Sequence, residues 1–181
     1  VVTGAGATTV TAQNGIQVWA DLGSGSIDGN TVSGIAYDNT LSTTKWVATS
    51  ILNYYADLDI TDNIITGAHM GIYNIDGAGD ITGNQLTIEK VGVYAYGIDA
   101  TDPPEAVPSP FGIDQPIIDR GASSNTQETR ATGLVLNVSN NTVTFSGTDN
   151  TSTFGIEADA GYGPDDLDVT INNNIVTGFE V

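Results

Sequence analysis

Cysteine is absent from the 181-residue chain, so neither a disulfide framework nor a thiolate metal site can form. The chain also lacks an apolar run of about 18 residues, the length at which a membrane-spanning helix becomes a candidate. Basic residues are scarce: four Lys and Arg face 22 Asp and Glu, which gives a formal net charge of -18. Because phosphate contacts need clustered Lys and Arg, this charge excludes nucleic acid as a partner and disfavours an anionic membrane surface.

The excess of acidic residues has two interpretations. It can keep a protein soluble in a salty or extracellular medium, where repulsion between charges is screened. It can also bind a divalent cation, because hard cations prefer carboxylate and carbonyl oxygens. The hydrophobic fraction of 39% is sufficient for the core of one domain.

A short pattern recurs five times: an aliphatic residue, two small or polar residues, Asn, any residue and a second aliphatic residue. The copies are "IDGNTV" (27–32), "ITDNII" (60–65), "ITGNQL" (81–86), "VSNNTV" (138–143) and "INNNIV" (171–176). Their shared Asn positions are Asn30, Asn63, Asn84, Asn141 and Asn174. Taken from these numbers, the intervals are 33, 21, 57 and 33 residues, which predicts a solenoid whose longer intervals contain insertions.

The residues around each copy have the period of a β-strand. In "LDITDNII" (58–65) apolar residues largely alternate with polar ones, whereas patterns of an amphipathic helix are absent. Short strands without hairpin signals between them predict parallel strands stacked about 4.8 Å apart. Asn tolerates the left-handed backbone at a bend, and its amide can bond the same amide one coil away. The five Asn are therefore predicted to form an inward-facing ladder.

These repeats resemble the right-handed parallel β-helix repeats of the pectin-lyase-like superfamily. The resemblance implies an all-β fold, a right-handed parallel β-helix of about 20–33 residues per coil with two inserted loops. It covers most of the chain, so residues 1–181 are predicted to form a single domain. Both "VVTG" (1–4) and "NNIVTGFEV" (173–181) stop at the same phase of the repeat. We therefore expect either a longer array in the parent protein or head-to-tail self-association of copies.

Two stretches interrupt the repeat, residues 36–55 and residues 101–130. The first carries Trp46, Tyr54 and Tyr55, whose rings either stack on sugar faces as a carbohydrate-binding site or pin the stretch onto the body. The second holds five of the six prolines, so it is predicted to leave the parallel ladder as a loop.

An acidic, glycine-containing segment, "EADAGYGPDDLD" (157–168), is the strongest candidate for a metal site. Glycine permits tight turns that bring carboxylates together, and such turns suit Ca²⁺. The predicted ligands are Asp159, Asp165 and Asp166. The alternative is that Asp and Gly are present because they make good turns.

Enzyme motifs are sparse in this chain. Polygalacturonase-like members of the superfamily carry Asn-Thr-Asp, Asp-Asp, Gly-His-Gly and Arg-Ile-Lys motifs, of which only "PDD" (164–166) and a lone His69 have counterparts here. The adjacent Asp165 and Asp166 would point to opposite faces of a strand, and His69 is predicted to be a turn residue.

The sequence therefore predicts an extracellular or cell-surface structural or adhesive β-helix module without catalysis of its own. Its partner would be a polysaccharide or another surface protein, and Ca²⁺ would stabilise it. The alternative is a carbohydrate-active β-helix, a polysaccharide lyase or glycoside hydrolase. A column of exposed Asp and Glu on consecutive coils would favour the enzyme, and a uniform Ser/Thr/Asn face would favour the structural module. Ice binding through Thr rows, as in "ATTVTA" (7–12), is disfavoured because the Thr-x-Thr spacing is not maintained from one copy of the repeat to the next.

Overall fold

The computed structural model describes residues 1–9, 13–19, 23–37, 48–97, 134–148, 153–159 and 167–179. These residues contain fourteen β-strands and no helix. The strands are β1 (Val2–Gly6), β2 (Asn14–Trp19), β3 (Ser24–Asp28), β4 (Thr31–Ile35), β5 (Thr49–Tyr54), β6 (Asp57–Thr61), β7 (Ile64–Ile75), β8 (Gly79–Thr82), β9 (Gln85–Tyr96), β10 (Leu134–Ser139), β11 (Thr142–Phe145), β12 (Phe154–Asp159), β13 (Leu167–Asn172) and β14 (Ile175–Thr177). Within the ranges just given, nothing helical is long and apolar enough to cross a membrane.

The strands form two sheets, and every described pairing is parallel. A five-stranded sheet has the order β13-β10-β8-β6-β3. A nine-stranded sheet contains two series of strands: β1-β4-β7-β9-β11-β14, and β2-β5-β7-β9-β12. The 12-residue strands β7 and β9 belong to both series, with a register shift around Ala68. The prediction of an all-β chain with parallel strands is therefore confirmed.

The alternation of side chains explains why these segments form strands. In β6, Leu58 and Ile60 are buried, whereas the alternate residues Asp57 and Asp59 are exposed. Parallel partners are in register, so residues with the same orientation stack into columns one strand apart. The main core consists of such apolar columns. One column contains Val32, Ile65, Leu86 and Val143, and another contains Ile27, Ile60, Ile81 and Val138.

Part of the first predicted insertion is regular structure. Within residues 36–55, the segment Thr49–Tyr54 forms β5 and pairs with both β2 and β7. This segment lacks the Asn pattern, which predicts an interruption of the repeat, yet Ile51 and Asn53 are fully buried in the sheet. Residues 38–47 and the second predicted insertion, residues 101–130, lie outside the described residues.

The prediction that His69 is a turn residue is wrong. His69 lies within β7, where its Nδ1 accepts a hydrogen bond from the backbone N–H of Tyr37 at 3.3 Å. Its Nε2 lies 3.5 Å from Glu89 Oε2. Because Nδ1 accepts, the proton of the neutral ring is on Nε2 and faces the carboxylate. The ring therefore connects two chain segments inside the sheet.

Candidate functional site

The predicted Asn ladder is present at the turn between the five-stranded sheet and the first series of the nine-stranded sheet. Asn84 Oδ1 accepts from Asn63 N at 2.9 Å and from Asn63 Nδ2 at 3.0 Å. Asn84 Nδ2 in turn donates to Asn141 Oδ1 at 2.9 Å and to Ile60 O at 2.8 Å. The same pattern continues from Asn141 to Asn174.

Burial differs along this ladder. Asn63, Asn84 and Asn141 are fully buried, whereas Asn30 and Asn174 are half-buried. The side chain of Asn30 does not join the ladder, because its Nδ2 donates to Asp28 O at 3.1 Å. Asn30 contacts the ladder through its backbone N–H, which donates to Asn63 Oδ1. A buried amide is costly unless it is bonded, so the three central members contribute most of the specificity of this turn.

The left-handed backbone predicted for the ladder Asn belongs instead to the residue that precedes it. Asp62, Asn140 and Asn173 have φ of 52°, 56° and 51°, and Gly29 and Gly83 have φ of 64° and 71°. The physical reason is that the ladder Asn directs its amide along the stack, while its own backbone N–H donates to the Oδ1 of the next ladder Asn and its C=O accepts from the first residue of a neighbouring strand. The preceding residue therefore makes the bend, and Gly, Asn and Asp are the residues that tolerate it.

A second, shorter ladder consists of one Asn pair that the repeat pattern did not predict. Asn53 Nδ2 donates to Asn74 Oδ1 at 2.6 Å, and both side chains are buried. Each also bonds the backbone of the turn that follows it, through Ala56 O at 2.8 Å and Gly77 O at 2.7 Å. The signal was available, because these two Asn are separated by 21 residues, the same interval as Asn63 and Asn84.

An aromatic–carboxylate cluster lies on the other face of the second strand series, away from the main core. It is defined by two columns, Trp19-Tyr54-Ile75-Tyr96-Asp159 and Gln17-Leu52-Tyr73-Tyr94-Glu157. The rings of Trp19 and Tyr54 stack with centroids 4.3 Å apart, and those of Tyr73 and Tyr94 lie 5.0 Å apart. Residues two apart on a strand share a face, so these columns are neighbours on one surface.

The electrostatics of this cluster favour protonated groups. Burial, and then the charges of Asp159 and Glu157, raise the pKa of Tyr94, whose hydroxyl donates a hydrogen bond to Asp159. Burial also raises the pKa of Tyr73. The pKa of Glu157 is raised first by burial and then by the charge of Asp159. Glu157 Oε2 is buried and has no hydrogen-bond partner within the described residues, which agrees with a carboxyl group that is poorly solvated.

Two of the three residues predicted to bind carbohydrate, Tyr54 and Tyr55, lie among the described residues. Tyr54 is buried and bonded through its hydroxyl to that of Tyr55 at 3.0 Å, and the two rings meet edge to face. Trp46 lies outside the described residues. The exposed ring of the cluster is Trp19, at 47% exposure, which the sequence analysis did not single out. Its only sequence signal was an aromatic residue at the end of a strand-like run, "GIQVW" (15–19).

Of the three predicted calcium ligands, the structure describes Asp159. Asp159 lies at the end of β12, where it accepts the hydrogen bond from Tyr94. Asp165 and Asp166 lie outside the described residues. Considering described side chains alone, no group of three His, Asp or Glu is close enough to hold a metal ion. Calcium binding at 157–168 stays a prediction.

The exposed face of the five-stranded sheet combines hydroxyl and amide groups with acidic side chains. On the five-stranded sheet one column is Asp28-Thr61-Thr82-Ser139-Asn172, in which Thr61 Oγ1 donates to Asp28 Oδ1 at 2.6 Å. In the adjacent column Asp80 N donates to Asp59 Oδ1 at 3.2 Å, and Asn137 Nδ2 donates to Asp80 Oδ1 at 3.3 Å. Asp59 and Asp80 are thus one acidic pair between neutral residues.

Comparison with known proteins adds no assignment. The chain matches no family model, no curated protein and no solved structure. The chemistry of the described faces and clusters is therefore the basis for a functional assignment.

Proposed function

We propose that the chain is a right-handed parallel β-helix module with a structural or adhesive role in an extracellular or cell-surface protein. The repeating order of strands supports this: a strand of the five-stranded sheet, the Asn turn, then strands of the first and second series. Parallel strands joined through such intervening chain are almost always connected with a right-handed crossover. The Asn ladder then runs from one turn of the helix to the next.

The observation that carries the role is the composition of the exposed columns. An enzyme that binds and cleaves an acidic or neutral polysaccharide needs catalytic carboxylates or bases gathered along a face. In the described columns of the five-stranded sheet no run of acids extends beyond two strands: Asp28 is followed by Thr61, and the Asp59–Asp80 pair is followed by Asn137. The other two acids of this face, Asp57 and Asp168, are paired with Ser24 and Val135. Hydroxyl and amide columns of this kind can present a regular binding surface without catalysing a reaction.

The test is binding measured together with turnover. The chain is applied to a glycan array and to surface-protein extracts of defined composition, with and without Ca²⁺, and the same polysaccharides are assayed for new reducing ends and for unsaturated products. We expect retention without product. Product formed from any polysaccharide by the wild type would contradict the structural role.

A second candidate function, a carbohydrate-active β-helix, is favoured by one observation. Glu157 and Asp159 are two residues apart on β12, so both face the tyrosines of the aromatic–carboxylate cluster. A carboxyl group with a raised pKa, here Glu157, beside a second carboxyl group, here Asp159, is the arrangement of a general acid and its partner. If turnover is detected, Glu157→Gln abolishes it on this assignment, whereas Asp59→Asn on the five-stranded sheet leaves it unchanged.

A further inference from the structure

The first strand series of the nine-stranded sheet presents a surface whose residues are far apart in the sequence. Strand register aligns two outward columns, which together are named the hydroxyl face. They are Thr31-Ile64-Gln85-Thr142-Ile175 and Thr3-Ser33-Thr66-Thr87-Thr144-Thr177. The second column has a Ser or Thr on each of six parallel strands. The Thr rows sought along single segments of the sequence are thus formed across strands instead.

The orientation of these columns follows from the residues between them. Val32, Ile65, Leu86 and Val143 separate the two columns and are fully buried in the main core. Their neighbours on each strand therefore point outward. Thr3, Thr66 and Thr177 are exposed, and the apolar side chains of Ile64 and Ile175 are 43% and 59% exposed.

The hydroxyl face carries no charged residue in either column, although the chain has a net charge of -18. Solvent-facing strands are usually kept soluble and unpaired by charged side chains. Here hydroxyl, methyl and amide groups take those positions instead. A cation, a polyanion or a basic protein would find no charge to recognise on this surface, so its ligand is a neutral one.

The spacing of the face is fixed before any ligand binds. Neighbouring strands lie about 4.8 Å apart, and the two columns, two residues apart along each strand, are separated by about 7 Å. The buried Asn ladder directly precedes the first column, and its hydrogen bonds of 2.9 and 3.0 Å link Asn63, Asn84 and Asn141. A preorganised array of this kind loses little conformational entropy on binding.

We propose that the hydroxyl face binds the ordered water at the surface of an ice crystal. Ice is a neutral, periodic array of hydrogen-bond donors and acceptors, and a threonine side chain offers it a hydroxyl together with a methyl group. The proposal deepens the adhesive role and rests on it, because ice is then the surface to which the module attaches.

Two other occupants fit the face less well. Sugar rings are usually held by stacking on aromatic side chains, and neither column contains one. A second copy of the chain would gain little, because the two columns cover only a few hundred Å², whereas a stable interface buries about 800 Å² on each partner.

The test compares matched Thr→Tyr variants in an ice-recrystallisation assay with the full chain. Thr66→Tyr places a ring in the middle of the hydroxyl face. Thr170→Tyr makes the same change at an exposed position of β13 in the five-stranded sheet. We expect the wild type and Thr170→Tyr to slow crystal growth at micromolar concentration and to adsorb to an ice surface when fluorescently labelled. Thr66→Tyr is expected to lose both effects while keeping the parent circular dichroism spectrum.

Gln85→Tyr, at the exposed neighbouring column, replaces Thr66→Tyr if that variant fails to fold. Ice crystals that grow with the wild type as fast as with an unrelated protein of equal net charge would overturn the proposal. Equal loss in Thr170→Tyr and Thr66→Tyr would also overturn it, because the effect would then not belong to this face. If the chain fails to bind ice but still adheres to glycans or proteins, the ice proposal is overturned and the adhesive role stands. If the chain instead cleaves a polysaccharide, the adhesive role itself is contradicted.

Discussion

Replacing Asn84 by Ala tests whether the Asn ladder holds the strands together. The substitution removes the acceptor of two buried donors, the backbone N–H of Asn63 and one proton of the Asn63 amide. It also removes the amide that donates to Ile60 O and to Asn141 Oδ1. A buried donor left without a partner costs about 1–3 kcal/mol, so the two Asn63 donors together predict a loss of about 2–6 kcal/mol.

Thermal and urea unfolding measure this loss. For a chain of this length 1 kcal/mol shifts Tm by about 2–4 °C, so Tm is expected to fall by at least about 4 °C. Asn30→Ala is the matched control, because Asn30 occupies the same turn position but is half-buried, and among the described residues its side chain donates only to Asp28 O. The control is expected to lose about 1 kcal/mol or less. An Asn84→Ala melt that coincides with the parent melt would remove the ladder as a source of stability.

Asn84→Asp separates the hydrogen bonds from the shape of the side chain. The carboxylate keeps acceptors for Asn63 but places a second oxygen against Ile60 O and Asn141 Oδ1, where the amide donated. A buried carboxylate facing acceptors is favoured in its protonated form. The variant is therefore expected to be at least as unstable as Asn84→Ala at neutral pH and to recover on acidification. A free energy of unfolding of Asn84→Asp that is the same at neutral and at acidic pH would contradict the donor role of Asn84.

Three further predictions concern other parts of the chain. Gly77→Ala would place a Cβ 2.5 Å from Ala56 O and 2.6 Å from the Asn74 amide oxygen, so it is expected to lower the urea midpoint by the equivalent of about 1–3 kcal/mol. Gly25→Ala, whose Cβ would be 3.6 Å from its nearest neighbour, serves as the control, and an equal effect in both would refute the packing argument. The pKa of Glu157 is raised in the folded state above its ordinary value of 4.5, so the folded state binds the proton more tightly than the unfolded state. Stability contributed by this proton is present below 4.5 and is lost as pH rises through the raised pKa, and Glu157→Gln is expected to flatten that part of the stability–pH profile. Calcium is expected to bind at 157–168, giving heat in titration calorimetry that Asp159→Asn diminishes; no heat together with a Tm unmoved by EDTA would exclude the site.

The sequence alone was sufficient to predict an all-β chain, the parallel arrangement of its strands and four of the five proposed members of the Asn ladder, since the side chain of Asn30 lies outside it. Each of these depends on local information: the alternation of apolar and polar residues within about eight residues, and an amide recurring at one place in that alternation. The same reasoning could have found Asn53 and Asn74 from their 21-residue interval. It assigned the left-handed backbone to the wrong residue, because composition indicates a bend but not which of two neighbouring residues makes it.

Only the tertiary structure decided which side chains share a surface. Thr3, Ser33 and Thr66 are separated by about thirty residues each in sequence, and they become neighbours only because β1, β4 and β7 pair in one particular register. The aromatic–carboxylate cluster is assembled in the same way, with Glu157 beside Tyr94 across β12 and β9. A shift of one residue in any pairing would turn the hydroxyl column inward and the apolar column outward. The register is set because it buries Val32, Ile65 and the other apolar residues of their column together. The free energy gained by this burial depends on several strands at once, so no single segment of the sequence determines it.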